Sequence, residues 1–323
     1  MIVRYLDSDL LPRVSKIGLG TWQFGSREWG YGDRYAREES TRIVERALEL
    51  GITLFDSAEI YALGRSERIL GRALAARREH AFVATKIFPL LPTARVVEWR
   101  AQASIRRLGV KRLDLYQLHW PNPVVGAATT MRGMRTLQAH GQVAEVGVSN
   151  YPLSRWRSAE AALGSRVVSN QVRYSLVERR PERDLIPYAR QTGRIVIAYS
   201  PLAQGFLAAR YAPGRLPPNR MRRRSRVFSA ESFARAEPLL RALHEIATAH
   251  NDATPAQVAL AWTIREPCVV AIPGAATVAQ LEANAAAAEI DLTAEEINEL
   301  DTAAAAYAGP VSESKRWSRR PKA

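Results

Sequence analysis

The sequence predicts an α/β fold, a (β/α)8 TIM barrel with a long loop and helix insertion between strands seven and eight. Three observations predict it. Short apolar runs rich in β-branched residues recur along the chain, with helical patterns between them. The first seven runs start 24 to 37 residues apart, close to the ~30 residues of one βαβ unit, and the last gap is 74 residues. Polar residues gather at one end of the runs, where the loops of a barrel converge on its axis.

The expected strands, in order, are Lys16–Gly20, Thr53–Asp56, Ala81–Lys86, Leu113–His119, Val143–Val148, Val167–Gln171, Arg194–Tyr199 and Cys268–Ile272. Between the first two, Glu38–Leu50 carries Ile43, Val44, Ala47 and Leu48 at helical spacing, and Gly51 offers a left-handed stop. Thr254-Pro255-Ala256-Gln257 reads as a capping box with proline at the first helical position. Thr277–Gln280 and Thr293–Glu296 repeat the pattern. An open doubly wound sheet is the competing architecture, but it would bind a dinucleotide on a G-x-G-x-x-G turn. Gly18-Leu19-Gly20-Thr21-Trp22-Gln23 lacks the third glycine.

Composition agrees with a single barrel over residues 1–310 followed by a basic tail at 311–323. The 323 residues are 47% apolar and 24% charged, which is globular rather than disordered. The single cysteine, Cys268, excludes a disulfide framework and a cysteine zinc site within one chain. No apolar run approaches the ~20 residues of a membrane span. Arg4, Asp7, Asp9 and Arg13 interrupt the N-terminal segment, so it lacks the apolar region of a secretory signal, and a cytoplasmic protein is expected.

The net charge of +14 is local. Residues 205–230 hold seven arginines and no acid, and residues 311–323 hold five Lys/Arg against one Glu. Such clustering argues against nucleic acid as a partner and suits either a solvated loop or a compact anion such as a cofactor phosphate.

At the strand ends stand Thr21, Asp56, Lys86, His119, Ser149 with Asn150, Gln171, Tyr199 with Ser200, and Pro273 with Gly274. Taken singly, an Asp caps a helix, a Lys is a solvated charge and a His is a packing residue. Asp, Lys and His from consecutive strands would instead face one pocket. Of the five histidines only His119 lies at a strand end, so no metal site is expected. No G-x-S-x-G elbow is present for serine catalysis.

These residues resemble the aldo-keto reductase family, in the bacterial branch related to voltage-gated potassium-channel β subunits. The resemblance rests on Ile17–Trp22, Phe55-Asp56-Ser57-Ala58-Glu59-Ile60-Tyr61, Ala84-Thr85-Lys86, Leu113–His119, Gly147–Asn150, Asn170-Gln171 and Ala198-Tyr199-Ser200-Pro201-Leu202, in the family's order. It implies NADP(H), no metal, and reduction of an aldehyde or ketone, a small-molecule carbonyl being the partner. It also implies that Tyr61 is the acid, Lys86 its activator, Asp56 the anchor of Lys86, and His119 a hydrogen-bonding partner of the substrate oxygen. A free tyrosine has a pKa near ~10, and a neighbouring ammonium eases its proton release.

The resemblance further implies a cofactor cradle. Ser149, Asn150 and Gln171 would meet the nicotinamide, Tyr199 would stack on it, and Gly20, Thr21 and Trp22 would lie beside its ribose. Ser200, Pro201, Leu202, Gln204 and Gly205 would line the pyrophosphate. Pro273, Gly274, Ala275, Ala276, Gln280 and Asn284 would hold the adenosine end. Relatives often carry Lys or Arg near Gly274, Ala276 or Gln280, and a Glu where Ala283 stands. Without those charges NAD(H) stays open as the cofactor, unless arginines between Arg220 and Arg226, in a mobile loop Pro217–Phe228, fold over the phosphate. Trp22, Trp29, Tyr31 and Trp120 in barrel-mouth loops suggest an apolar or planar substrate. A cofactor-binding regulatory or sensor protein with little turnover, like the channel β subunits, is the second class of function. The sequence carries no signature of an oligomeric state.

Overall fold

The computed structural model describes residues 4–8, 11, 13–25, 35–251 and 253–307, without the side chains of Ala36, Arg37, Arg220 and Met221. Trp29, Tyr31 and the basic tail therefore lie outside the described residues.

Eight parallel strands follow one another around the molecule: β1 (Leu19–Gly20), β2 (Leu54–Asp56), β3 (Phe82–Ile87), β4 (Leu113–Leu118), β5 (Val143–Ser149), β6 (Ser169–Arg173), β7 (Ile195–Tyr199) and β8 (Val269–Ala271). Each pairs in parallel with its sequence neighbour, so every connection crosses over through the helices outside the sheet. The sheet then closes on itself. Gly18 N donates to Ala271 O at 2.8 Å, Ala271 N to Lys16 O at 2.8 Å, and Gly20 N to Pro273 O at 3.1 Å. These contacts explain why β1 is shorter than the expected Lys16–Gly20: residues 16–18 join β8 through isolated bridges rather than a ladder with β2.

The closed sheet separates two cores. Outside it, strand residues such as Phe55, Tyr116 and Val146 pack against the helices. Inside its lower half lie Leu54, Ala84, Leu115, Val168, Ile195 and Val270. An antiparallel turn at the N-terminus, with Tyr5 bridged to Ser15, inserts Leu6, Leu11 and Val14 into that inner core and stops the barrel's bottom. The expected strands gave no sign of this plug, because it is held by one bridge rather than a periodic run.

Helix α1 (Ser40–Glu49) buries Ile43, Val44 and Ala47 as its spacing predicts, although a π turn at Tyr35–Glu39 precedes it. Gly51 takes the left-handed conformation, with φ of 80°. The next four crossover helices are α2 (Arg65–Leu74), α3 (Ala94–Leu108), α4 (Ala127–Ala139) and α5 (Leu153–Leu163), and α6 (Leu185–Thr192) precedes β7. Between β7 and β8 the chain makes a 3₁₀ turn at Ala203–Ala208, the short helix α7 (Arg220–Arg223), a second 3₁₀ turn at Arg226–Phe228, and then α8 (Ala230–Ala249) and α9 (Pro255–Thr263). Within the arginine-rich stretch, Arg220–Phe228 thus forms two short helical turns joined by a bend, while Arg215 closes a bridge with Ala212. Phe228 anchors it by packing on Phe206, Tyr211 and Phe233.

After β8 come α10 (Val278–Ala286) and α11 (Ala294–Ala306). The capping boxes at Thr254 and Thr293 form in full. The third does not: Gln280 Oε1 accepts from Ala276 N at 2.9 Å, so it serves the loop before α10 rather than Thr277. Among the described residues, no helix is long and apolar enough to cross a membrane.

Candidate active site

The C-terminal ends of the strands open into a cleft of about 670 Å³. At its floor, Lys86 projects from β3 and is fully buried. Its Nζ donates to Asp56 Oδ2 at 2.6 Å, to Ser57 O at 2.8 Å and to the Tyr61 hydroxyl at 3.2 Å. Gln171 Nε2 donates to the other oxygen, Asp56 Oδ1, at 2.7 Å. Both carboxylate oxygens and all three ammonium protons therefore have partners, as a buried charge pair requires.

The electrostatics follow from burial and this pairing. Burial opposes the Lys86 ammonium, but Asp56 and Tyr61 outweigh it, and its pKa ends raised. Burial raises the Asp56 carboxyl, against the pull of Lys86 and the hydrogen bonds of Gln171. Burial also raises the Tyr61 phenol, and Lys86 is the main group that lowers it. His119, at the end of β4, lines the same floor with its ring edge-on to Tyr61, 5.9 Å between centroids. Burial, helped by the Lys86 charge, lowers its pKa to about 3, so its imidazole is neutral at physiological pH.

Tyr61 stands on a loop, so its precision depends on what holds residues 57–67. Ser57 and Ser66 hydroxyls meet at 3.0 Å across the loop, and Thr21 Oγ1 meets Ser66 Oγ at 2.8 Å while donating to Asp56 O at 2.9 Å. Glu59 accepts from Phe88 N and from Arg100 Nε on α3, the latter at 2.9 Å. Glu67 accepts from Thr85 Oγ1 at 2.7 Å and from Arg107 Nε. Two buried carboxylates thus fasten the loop to β3 and α3. Thr21, expected beside the cofactor ribose, is completely buried and braces this loop from below rather than lining the cleft.

Further along, Ser149 Oγ donates to Gln171 O at 2.9 Å, and Asn150 Nδ2 donates to His119 O at 3.1 Å. Asn150 has a φ of 61°, a left-handed turn that aims its side chain across the barrel mouth, where the Tyr199 hydroxyl donates to its Oδ1 at 2.9 Å. Ser200, Pro201, Leu202, Gln204 and Gly205 continue the wall beyond Tyr199. Pro273, Gly274, Ala275 and Ala276 face them, with Gln280 and Asn284 on α10. Gly20 lines the seam between these walls, and a Cβ there would sit 2.8 Å from Ile272 O.

Trp22 and Trp120 border the opposite end, joined by Ile60 and Phe88, which the strand-end reading passed over. It also missed Gln23, whose Nε2 donates to Ala275 O at 2.8 Å, and Arg173 at the end of β6, whose guanidinium lies 5.8 Å from the Tyr199 ring. Arg173 follows Gln171 by two residues, so strand alternation could have found it. Of the arginine-rich stretch, Arg222 lines the cleft, and Arg210 joins it from the preceding turn. Arg226 does not: it lies on the next 3₁₀ turn, whose Phe228 packs inward.

A dinucleotide fits this arrangement. Among the described residues lining the cleft, Asp56 is the one carboxylate, and Lys86 neutralises it, while Arg173 lies beside Tyr199 and Arg210 and Arg222 line the wall beyond it, the far half. The N-terminus of α10 opens onto the same half. Hydrogen-bonding side chains stand between that cationic half and the buried Lys86–Tyr61 pair.

The family model named Aldo/keto reductase family matches residues 16–305. The chain belongs to the aldo/keto reductase family. A Mycobacterium tuberculosis oxidoreductase is 54% identical over 310 residues, covering 96% of this chain and 95% of its own. An Escherichia coli methylglyoxal reductase is 35% identical over 312 residues, covering 96% and 97%. A Klebsiella pneumoniae aldo-keto reductase, solved in complex with NADPH, aligns with a TM-score of 0.76 at 30% identity over 96% of this chain and 97% of that one. A Gluconobacter oxydans glycerol dehydrogenase aligns with a TM-score of 0.85 at 25% identity, over 97% and 99%. Membership makes this chain an oxidoreductase, and the barrel closed by β1 and β8 is the family fold.

Proposed function

We propose that this protein reduces aldehydes or ketones with NADP(H), and that Tyr61 delivers the proton. The observation that carries this reading is Lys86 Nζ, held 2.6 Å from Asp56 Oδ2 and 3.2 Å from the Tyr61 hydroxyl. When bound, NADPH supplies the hydride that the carbonyl carbon requires.

The chain's own residues do the rest. As negative charge develops on the carbonyl oxygen, the Tyr61 hydroxyl gives up its proton. Burial alone would make that release harder, and the Lys86 ammonium stabilises the phenolate left behind. Asp56 keeps Lys86 charged through the cycle. Neutral His119 hydrogen-bonds the carbonyl oxygen and fixes its approach to Tyr61, a role an imidazolium would perform poorly beside Lys86. Trp22, Ile60, Phe88 and Trp120 cover the substrate from water and favour an uncharged, apolar carbonyl.

Ser149, Asn150 and Gln171 would hold the nicotinamide amide and Tyr199 its ring face. Ser200–Leu202, Gln204 and Gly205 would hold the pyrophosphate, and Pro273–Ala276, Gln280 and Asn284 the adenosine. Arg222, with Arg210, takes the part of the basic residues that the α10 end lacks and would read the 2′-phosphate.

NADPH absorbance followed with nitrobenzaldehydes and aliphatic aldehydes tests the activity, and turnover is expected. Tyr61→Phe should lower kcat by ~10²-fold or more with NADPH affinity preserved. No turnover of any aldehyde or ketone by the parent, or an active Tyr61→Phe enzyme, rejects the reading. Arg222→Ala should weaken NADPH by about tenfold, the value of one charge-assisted contact, and NADH far less. Equal parental affinity for the two dinucleotides would remove the 2′-phosphate role.

A further inference from the structure

The barrel interior directly below the Lys86–Asp56 pair is polar, in contrast to the apolar layer beneath it. Register aligns Lys86 on β3 with Gln117 on β4, Gln117 with Gly147 on β5, and Gly147 with Ser169 on β6. Paired residues of a parallel sheet point to the same face, so all four turn inward with Lys86. Gln117 and Ser169 are fully buried. Neither Gln117 Oε1, nor Gln117 Nε2, nor Ser169 Oγ makes a hydrogen bond. Both side chains lean over the Cα of Gly147: a Cβ there would lie 2.3 Å from Ser169 Oγ and 3.0 Å from Gln117 Cγ. The missing side chain at Gly147 is what lets two polar groups share this part of the barrel. Gln117 also faces Asp56 and favours its ionised form.

Three buried polar atoms without partners are costly, and native interiors satisfy such groups with protein or ordered water. A buried water makes about three hydrogen bonds. An amide that offers both a donor and an acceptor, beside a hydroxyl, supplies that many.

We propose that Gln117 and Ser169 hold an ordered water inside the barrel beneath Asp56, and that Gln117 is a positioning residue for the Asp56–Lys86 pair. The inference rests on the reading of Lys86 as the activator of Tyr61. The water completes the Gln117 amide, and the fixed amide dipole supports the Asp56 carboxylate from the side away from Lys86 and Gln171. Two titratable groups act on the Asp56–Lys86 pair: Tyr61 from the loop after β2, and His119 after β4. Tyr199 on β7 acts on Tyr61.

The test has two arms. A crystal structure of the protein at atomic resolution should contain a water bonded to the Gln117 amide and Ser169 Oγ. A direct Gln117–Ser169 hydrogen bond with no water between them overturns the site, whatever the enzyme does. In the second arm, Gln117→Leu should lower kcat about fivefold, the scale of the one neutral hydrogen bond that the water gives the amide, and move the acidic limb of the kcat–pH profile upward. The KM values for aldehyde and NADPH should stay within about twofold, and Gln117→Asn, which keeps an amide, should recover part of the loss. A parental kcat and pH profile in Gln117→Leu overturns the positioning role. Should that variant not fold, Ser169→Ala, which removes one partner of the water, is read by the same profile, with a smaller shift expected and none overturning the role. An inactive parent protein would reject the proposed reductase reading and the positioning role together, and the crystallographic arm would still decide the water.

Discussion

The two ends of the barrel each bury a lysine, and the two lysines respond in opposite ways. Lys86, at the C-terminal end, meets a carboxylate, a carbonyl and a phenol, and its pKa rises. Lys16, at the N-terminal end, donates to the carbonyls of Glu266 at 2.6 Å and Pro267 at 3.0 Å, and its pKa falls to about 8. Burial lowers both. What separates them is a directly bonded carboxylate: Asp56 offsets the desolvation of Lys86, whereas Cys268 and Glu266 act on Lys16 only through their fields, with Arg4 opposing them. Carbonyl dipoles satisfy an ammonium's donors without neutralising it. In the proposed reaction the upper lysine is therefore held ready to stabilise a phenolate, and the lower one ties the segment before β1 to the turn before β8.

Removing Lys86 should produce the largest effect. Lys86→Met should lower kcat by ~10²-fold or more and, by leaving Asp56 buried without its counter-ion, should destabilise the fold by about 3–5 kcal/mol at neutral pH. Adding Asp56→Asn should recover much of the stability and none of the activity. Denaturant unfolding and steady-state kinetics on the single and double variants check this. A double variant that regained turnover would break the contrast between the two lysines.

Lys16→Met should leave kcat near the parent value and change the pH dependence of stability. The folded pKa of Lys16 is depressed from 10.5 to about 8, so the unfolded chain binds the extra proton between those values. Its burial therefore costs stability below pH 8, and that cost is relieved as pH rises toward 10.5, by up to roughly 3 kcal/mol. The variant should lack this alkaline gain, and a comparison of Tm for parent and variant at pH 7.5 and pH 10 measures it. Parallel Tm profiles would mean that Lys16 does not titrate in this range.

His119 gives a smaller effect of the same sign at lower pH. Its folded pKa of about 3 lies below the unfolded 6.5, so stability is full above pH 6.5 and is lost as pH falls toward 3. The loss should reach roughly 2 kcal/mol by pH 5. In His119→Gln the fall in stability between pH 7 and pH 5 should be smaller than in the parent. An unchanged fall would assign the acid sensitivity to other groups.

Much of the site was legible because the barrel is read by periodicity. Asp56, His119 and Tyr199 lie at or next to strand ends and Gln171 two residues inside β6, and the apolar runs that locate the strands locate them too. Lys86 is one residue inside β3, where alternation points it into the barrel rather than to the helices. Tyr61 was a different case: nothing in the periodicity of a loop says where its side chain goes, and the family resemblance supplied its role. The Glu59 and Glu67 braces were not legible, since an acid in a loop or first helical turn is normally a solvated or helix-end charge. Their partners Arg100 and Arg107 lie some forty residues away on α3.

The arginines mark the boundary most sharply. That a cationic stretch follows strand seven is plain from the order of residues, because connectivity alone sends that stretch to the C-terminal face. Which arginine reaches the cleft was decided by tertiary packing: Phe228 anchors the stretch on Phe206 and Phe233, and Arg222, not Arg226, is left on the cleft side. The same division holds for the two lysines. Composition and spacing put both in strands or at their edges, but a pKa depends on the few groups within bonding distance. Those groups are set by the closure of the barrel, which brings Asp56 to one lysine and only carbonyls to the other.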